Sequence, residues 1–196
     1  MSSIAEIFDQ VVHSRRSFYP KDFLPGRVDD AVIHRMLENA DRAPTHKRTE
    51  PWRFMVFTGE VLKKLAAFQG ECYRQVTTAD GTFREDRYQN MLTKPLEVSH
   101  IISVGMKREP AKSLPEWEEL GAVFCAVENM YLTATAYGIG CYLSTGGITN
   151  FEEAKPFFGL GPEDRLCGFL NVGLIAPPDG TVSKRRPLEE KVQWIS

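Results

Sequence analysis

The sequence predicts an α+β sandwich, and three observations lead to that fold class. Segments of helical and of strand periodicity alternate, but without a strict strand–helix–strand rhythm. About four apolar runs have the length and the β-branched or aromatic content of strands. A long helix that starts near Glu116 is apolar on nearly every face from Leu120 onward, so it needs cover on all sides.

The bulk composition is that of an ordinary soluble domain. A chain of 196 residues can bury a sizeable core, and we expect a single domain over 1–196. A net charge of −2 gives no indication of a nucleic-acid partner. The four cysteines form no C-x-x-C pair, which favours reduced thiols in a cytoplasmic protein over disulfides or zinc. Arg15–Arg16 resembles the twin-arginine motif of an export signal, but the apolar segment that a signal peptide needs does not follow it, so it is not expected to be one.

The first half of the chain begins with two amphipathic helices. Apolar residues at three- and four-residue spacing predict a first helix from Ile4 to about His13–Ser14. Arg15-Arg16-Ser17 follows directly after the last turn of this helix. Without any binding role, two arginines at this place are explained by their favourable interaction with the helix dipole. Asp29 or Asp30 caps the second helix, which Pro44 breaks.

A polar loop, residues 42–52, leads into the first strand over 52–57. A short helix over 60–68, a turn at 77–81, a charged surface helix over 84–92 and a second strand over 98–105 are expected to follow. His100 lies in that strand and is expected to be a structural histidine, and His34 to be solvated.

The long apolar helix cannot cross a membrane. Glu128 lies near its middle, and a carboxylate there costs about 2.5–3.5 kcal/mol on insertion. After Gly138-Ile-Gly140 we expect a short strand and a loop of small residues over 144–147. Asn150-x-x-Glu153 resembles a capping box for a helix to Phe158, and the last strand covers 165–175. The apolar tail, with Trp194 and Ile195, needs something to pack on, such as a partner chain.

Familiar catalytic motifs are absent from the sequence. It contains no P-loop, no G-x-G-x-x-G after a strand, no G-x-S-x-G and no H-E-x-x-H. Three polar clusters remain: residues 15–17, the 42–50 loop with His46, and residues 184–186. Guanidinium groups suit phosphate, and the small residues at 144–147 allow a ring to approach the backbone. As a set they favour an anionic, planar cofactor without naming it.

In this set of motifs the chain resembles the nitroreductase family, most closely its compact bacterial members. The resemblance rests on the order of motifs along nearly the whole length. These motifs are Arg15-Arg16-Ser17, Ala43-Pro-Thr-His-Lys with Glu50-Pro-Trp-Arg-Phe54, the apolar helix with Asn129, Gly138-Ile-Gly-Cys141, Phe169-Leu-Asn-Val-Gly173 and Arg186-Pro-Leu-Glu-Glu-Lys-Val192.

The resemblance implies an α+β sandwich with a central mixed or antiparallel sheet, forming an intertwined homodimer with two FMN molecules at the interface. It implies that the FMN phosphate and the polar ring edge are contacted by Arg15, Arg16 and Ser17. It also places Arg42, His46 and position 50 at the flavin from the other subunit, and Ser144, Thr145 and Gly146 beside the ring. Arg185 or Arg186 is expected at the phosphate. The resemblance assigns no catalytic side chain and no metal ligand.

Two positions depart from the family pattern. Glu50 stands where the family usually has Gln or Asn, so that either FMN binds less tightly or Glu50 turns toward Lys47 or Arg48. Ser144 stands where close relatives often have Arg, which removes one cationic contact.

The function that the resemblance implies is an FMN-dependent NAD(P)H oxidoreductase. Such an enzyme takes hydride from NAD(P)H and reduces small electron-poor acceptors such as nitroaromatics and quinones, and the cofactor carries the chemistry. Two alternatives stay open at this point. One is a family member specialised for flavin fragmentation, dehalogenation or dehydrogenation, and the other is a flavin-binding storage or sensing protein with little turnover.

Overall fold

The four strands form one antiparallel sheet in the order β1-β2-β4-β3. A computed structural model describes residues 2–177 and 184–195 of the chain. The strands are β1, Trp52–Thr58; β2, His100–Met106; β3, Ile139–Ser144; and β4, Arg165–Leu174. Within the described chain β3 pairs only with β4, so its other edge is open to neighbouring segments. The predicted α+β class is confirmed, with the sheet fully antiparallel.

Helices cover both faces of the sheet. They are α1, Ile4–Ser14; α2, Asp30–Ala40; α3, Val61–Ala79; α4, Glu85–Thr93; and α5, Glu116–Ala136. Because successive strand side chains point to opposite faces, Ile102 and Leu170 join one core cluster while Ile101 and Phe169 join the other. The first cluster packs on α2 and α5 and the second on α3. This is the predicted sandwich.

The helix predicted over 60–68 is longer than the sequence suggested, and the turn predicted at 77–81 is partly wrong. The buried stripe of α3 continues past Phe68 through Cys72, Tyr73 and Thr77. Gly70 lies inside this helix, and its missing side chain leaves room for Leu92 of α4, which would stand 2.7 Å from an added Cβ. The chain turns only at Asp80 and Gly81, after the apolar stripe ends.

The capping box predicted at Asn150-x-x-Glu153 is not formed. Phe151 occupies the N-cap position without a side-chain hydrogen bond, and Glu152–Phe158 is a 3₁₀ helix rather than an α-helix. Pro156 lies inside this segment, and a proline has no N–H for an α-helical hydrogen bond. The tighter 3₁₀ turns therefore replace the expected helix.

The central helix α5 is buried along most of its length, but one side is uncovered in the single chain. Trp117 is 71% exposed and Phe124 is 44% exposed. Large apolar side chains of α1 and of the tail, Phe8 and Trp194 among them, are also exposed. Contiguous apolar surface is typical of interaction sites, and these exposed side chains are candidates for such a contact. Among the described residues, no helix combines the length and apolarity needed to cross a membrane.

His100 is a structural histidine, as its position in a strand predicts. Its Nδ1 lies 2.8 Å from the Ser99 hydroxyl oxygen, and its Nε2 lies 3.0 Å from the Asp30 carboxylate at the start of α2. Burial lowers the pKa of His100 below its usual 6.5, and the hydrogen bond to Asp30 opposes that shift. The imidazole is therefore buried in its neutral form near neutral pH.

This lowered pKa predicts a loss of stability in mild acid. As the pH falls through about 6.5, the unfolded chain binds a proton that the folded chain resists, so the free energy of unfolding decreases. One such proton gives a slope of at most about 1.4 kcal/mol per pH unit. We expect His100→Asn to flatten the slope between about pH 7 and about pH 5 in urea titrations. An unchanged slope in that variant contradicts this assignment.

Candidate functional site

A cavity of about 560 Å³ opens between the α4 region and the strands β3 and β4. Such a volume lies within the usual range for small-molecule sites. Three of the predicted site residues, Ser144, Thr145 and Gly146, form part of its wall. The next residue, Gly147, has a φ of +68°, and Met91 lies 2.7 Å from where a Cβ would stand. The small-residue loop therefore lets α4 and the cavity wall approach closely.

The floor and rim of this cavity differ in polarity. Ile101, Ile148 and Phe169 give an apolar floor, and Asn90 and Lys94 bring polar groups from the α4 side. Further polar lining comes from Lys21, Gln69 and Asn171. Among the described lining residues there is no carboxylate, so the cavity is electrostatically suited to a ligand that carries or develops negative charge.

Sequence reasoning missed Asn90, Lys94 and Asn171 as site residues. Asn90 and Lys94 are four residues apart on a segment that reads as an ordinary charged surface helix. Lys94 also pairs with Glu97 at 3.0 Å, as many surface lysines do. Asn171 belongs to the family motif Phe169-Leu-Asn-Val-Gly173, which by itself assigns it no role. A polar residue within an otherwise apolar strand is the one signal that could have singled it out.

A second cavity, of about 490 Å³, adjoins the segment that follows α1. It is lined by Arg16 and Ser17, and it shares Tyr19 with the first cavity. The ring of Tyr19 lies against that of Tyr142 with centroids 4.6 Å apart. Asp22 is the carboxylate of this lining, so an anion here has to be held by Arg16 and Ser17.

The segment 15–18 is fixed by contacts with β3 and α5. The Phe18 N–H donates to the Cys141 carbonyl at 3.0 Å, and the Arg16 guanidinium lies 4.7 Å from the centroid of the Phe18 ring. Arg15 Nε lies 3.6 Å from the Glu128 carboxylate on α5. Arg15 therefore lies behind the two cavities, and it is not among the residues that line them.

The loop at 45–50 has an unusual backbone. Lys47, Arg48 and Glu50 all have positive φ values, of 51°, 55° and 44°. Such values are uncommon for residues with side chains, and strained positions cluster at functional sites. The Thr45 hydroxyl stabilises the loop, because it accepts from the Glu50 N–H at 3.2 Å and lies 3.2 Å from the Thr49 hydroxyl.

The 45–50 loop docks on the N-terminal half of α5, well away from residues 15–17. His46 Nδ1 lies 2.5 Å from the Glu118 carboxylate, and Lys47 Nζ donates to the Ser113 carbonyl at 3.4 Å. Arg15 meets the same helix at Glu128, ten positions later, which is about 15 Å along the axis. The structure thus separates the predicted site residues into two groups on one chain.

The remaining predicted residues fall outside the cavities. Arg42 and Glu50 are exposed, and among the described residues no ion pair joins Glu50 to Lys47 or Arg48. Arg185 and Arg186 are exposed in the tail and line neither cavity, while residues 178–183 before them lie outside the described chain. The structure therefore gives no contact that favours either alternative for Glu50, weaker FMN binding or an ion pair with Lys47 or Arg48. The expected roles of Arg185 and Arg186 stay predictions.

The cysteines offer no activated thiol near the cavities. Burial raises the pKa of the Cys72 thiol and of the Cys167 thiol to about 11, and it raises that of Cys141 further. A thiol is nucleophilic as the thiolate, so these groups are inert near neutral pH. Among the described residues, no group of His, Cys, Asp and Glu is arranged to hold a metal ion.

These features define a class of protein: an α+β protein with an antiparallel sheet and a cavity suited to a partly apolar ligand that carries or develops negative charge. The chain belongs to the nitroreductase family, whose family model matches residues 12–174. The resemblance given by the motifs is thereby confirmed, and so is the enzyme class that it implies, a nitroreductase-type oxidoreductase.

Individual relatives agree with this membership. The chain is 30% identical over 141 residues to YdjA of Escherichia coli K12, provisionally named an NAD(P)H nitroreductase, covering 72% of this chain and 74% of YdjA. A nitroreductase-like protein of Bacillus cereus superposes with a TM-score of 0.78 at 25% identity, over 100% of this chain and 97% of its own. The FMN-dependent nitroreductase NfnB of Mycobacterium smegmatis, solved with NADPH, shares the fold at 17% identity, with a TM-score of 0.74 over 99% and 100% of the two chains.

Proposed function

We propose that this protein is an FMN-dependent NAD(P)H oxidoreductase that reduces small electron-poor acceptors such as nitroaromatics and quinones. The observation that carries the proposal is the pair of cavities that share Tyr19 in their lining. One is large, has an apolar floor and is free of carboxylates among its described lining, and the other offers Arg16 and Ser17. The names of the relatives, which refer to FMN and NADPH, support the same choice.

The residues present fit FMN in their chemistry. The apolar floor, with Ile148 and Phe169, suits a planar ring, and the amide and lysine side chains suit a polar ring edge. Arg16 and Ser17 offer the charged and hydroxyl donors that a phosphate needs. When bound, the flavin would supply hydride transfer, and the positive charge that Lys94 brings to the cavity lining would favour its reduced, anionic form.

The site is proposed to be shared between two subunits of a homodimer, each a single domain over 1–196. Residues 15–17 and the 45–50 loop contact α5 about 15 Å apart, so one chain brings only the first group to the cavities. In a twofold dimer the loop of one chain can reach the cavity of the other. Exposed apolar side chains on α1, α5 and the tail would form the apolar, aromatic-rich core of such an interface, and they include Phe8, Phe124 and Trp194.

Reduction of the purified protein by NADPH tests the proposal. We expect a yellow protein whose flavin absorbance bleaches on mixing with anaerobic NADPH in a stopped-flow instrument. We then expect it to recover when a quinone or a nitroaromatic is added, because the cofactor accepts and then passes on the same electron pair. The visible absorption spectrum before mixing is the first check.

Two results contradict the proposal at different levels. A flavin that stays oxidised over minutes with both NADPH and NADH rules out the reductase function but leaves a flavin-binding protein. A colourless protein that ignores added FMN rules out both.

A further inference from the structure

The side chain of Tyr131 connects the central helix to the outer edge of the sheet. It lies on α5 with 7% of its surface exposed. The Leu143 N–H, on the edge strand β3, donates to its phenol oxygen at 2.7 Å. The next residue is Ser144, with which the small-residue wall of the larger cavity begins. The phenol therefore holds the strand at the point where that wall starts.

Tyr131 also contacts the segment that lines the second cavity. The Arg15 guanidinium lies 5.5 Å from the centroid of its ring, and Arg15 Nε also lies 3.6 Å from the carboxylate of Glu128, about one turn earlier on α5. Burial raises the pKa of the Tyr131 phenol, and hydrogen bonds from the Leu143 N–H and the Ser17 side chain act against that shift. One phenol group thus meets both segments that border the cavities.

The geometry of β3 explains why a hydroxyl is needed at this place. In an antiparallel strand, residues two apart direct their backbone groups to the same side. The Cys141 carbonyl accepts from Phe18 on the outer edge, and the Leu143 N–H faces the same edge two residues later. At that point the phenol of Tyr131 takes the role of the next backbone acceptor. A phenylalanine fills the same volume but leaves this N–H without its acceptor.

We propose that Tyr131 is a positioning residue for flavin binding, which sets segment 15–17 and the 144–146 wall in one fixed arrangement. The inference rests on the proposed function, because it concerns the same site. It assigns a role to a residue that does not line either cavity and that the sequence motifs did not single out.

The test measures FMN affinity by fluorescence quenching when FMN is titrated with the apoprotein. We expect Tyr131→Phe to raise the dissociation constant about tenfold, through loss of the hydrogen bond that orders both segments. Ser17→Ala is expected to weaken binding as well, and the loss in the double variant should be smaller than the sum of the two single losses, because the Tyr131 phenol acts partly through Ser17. We also expect the midpoint potential of the bound flavin to become more negative in Tyr131→Phe, since cationic groups are held less firmly.

Tyr73→Phe is the matched control. Tyr73 is buried in the other core cluster and packs against Phe83, with ring centroids 6.0 Å apart, so losing its hydroxyl should leave FMN affinity unchanged. Equal affinity of wild type and Tyr131→Phe overturns the inference, as does equal weakening in the control. Failure of the wild-type protein to bind FMN overturns the proposed function instead. If Tyr131→Phe does not fold, Arg15→Met tests the same arrangement, because Arg15 contacts the Tyr131 ring and lines neither cavity, and an affinity equal to that of the wild type contradicts the inference.

Discussion

Glu119→Ala is expected to lower the free energy of unfolding by about 3–5 kcal/mol, because it breaks a buried ion pair and leaves one charge behind. Glu119 lies on α5 with 1% exposure and accepts from the Arg108 guanidinium and from the Glu109 N–H, the latter at 2.9 Å. The Arg108 side chain is itself only 11% exposed. Urea denaturation of the apoprotein, read as a change in midpoint at constant slope, measures the loss.

Two comparisons make this prediction specific. Glu163→Ala removes an exposed ion pair with Lys112, of 2.8 Å, and should cost less than about 1 kcal/mol. Replacing both buried partners with apolar residues, as in Arg108→Met with Glu119→Leu, should recover much of the stability, since no unpaired charge remains. A loss in Glu119→Ala no larger than in Glu163→Ala contradicts the assignment.

The buried pair matters for the site as well as for stability. It anchors the segment that runs from β2 to α5, with Arg108 also donating to the Leu114 carbonyl at 3.1 Å. Ser113 in that segment accepts from Lys47 of the strained loop. The loop that is proposed to reach the partner's flavin therefore rests on a segment held by Arg108 and Glu119.

Mixed dimers are expected to recover a flavin site that each parent variant lacks. Arg16→Glu and Arg42→Glu should each weaken FMN binding about a hundredfold or more, since a cation near an anionic ligand becomes an anion. If each site takes Arg16 from one chain and Arg42 from the other, a dimer of the two variants has one doubly altered and one intact site. Tandem-tag purification of this dimer should yield about one FMN per two chains.

A dimer of Arg16→Glu with Ser17→Glu is the control, because both residues line the second cavity and so lie in the same half of the site. Twofold symmetry then leaves each site with one altered residue, so no FMN should be retained. Recovery in neither mixture indicates a site built within one chain, which contradicts the shared site. A protein that stays monomeric at micromolar concentration contradicts it directly.

Much of the fold could be predicted because it depends on local patterns. Apolar spacing located α1 and α2, and Asp29 caps α2 with a hydrogen bond of 2.9 Å from the Ala31 N–H. Runs of β-branched and aromatic residues located all four strands. One error arose from a tertiary contact and one from a local residue. Gly70 lies inside α3, where Leu92 takes the space that a side chain would need, and Pro156 favours 3₁₀ turns despite the cap-like spacing before it.

The candidate site was less accessible to sequence reasoning. Residues 144–146 and Arg16 could be named from motifs, and they do line cavities. Asn90 and Lys94 look like ordinary surface residues, and only the packing of α4 across the sheet brings them to the cavity. Tyr131 looks like one more apolar position of α5, because no sequence pattern reveals that an edge-strand N–H needs its hydroxyl.

By itself, then, the sequence determined the α+β class, the family and the motifs from which the proposed site is built, since these follow from periodicity and from residues adjacent along the chain. Only the tertiary structure decided how those motifs are distributed. It placed His46 at the start of α5 and Arg15 at its middle, gave two cavities Tyr19 as a common lining residue, and tied segment 15–17 to β3 through Phe18 and Tyr131. These are distances between residues far apart in sequence, and packing alone sets them.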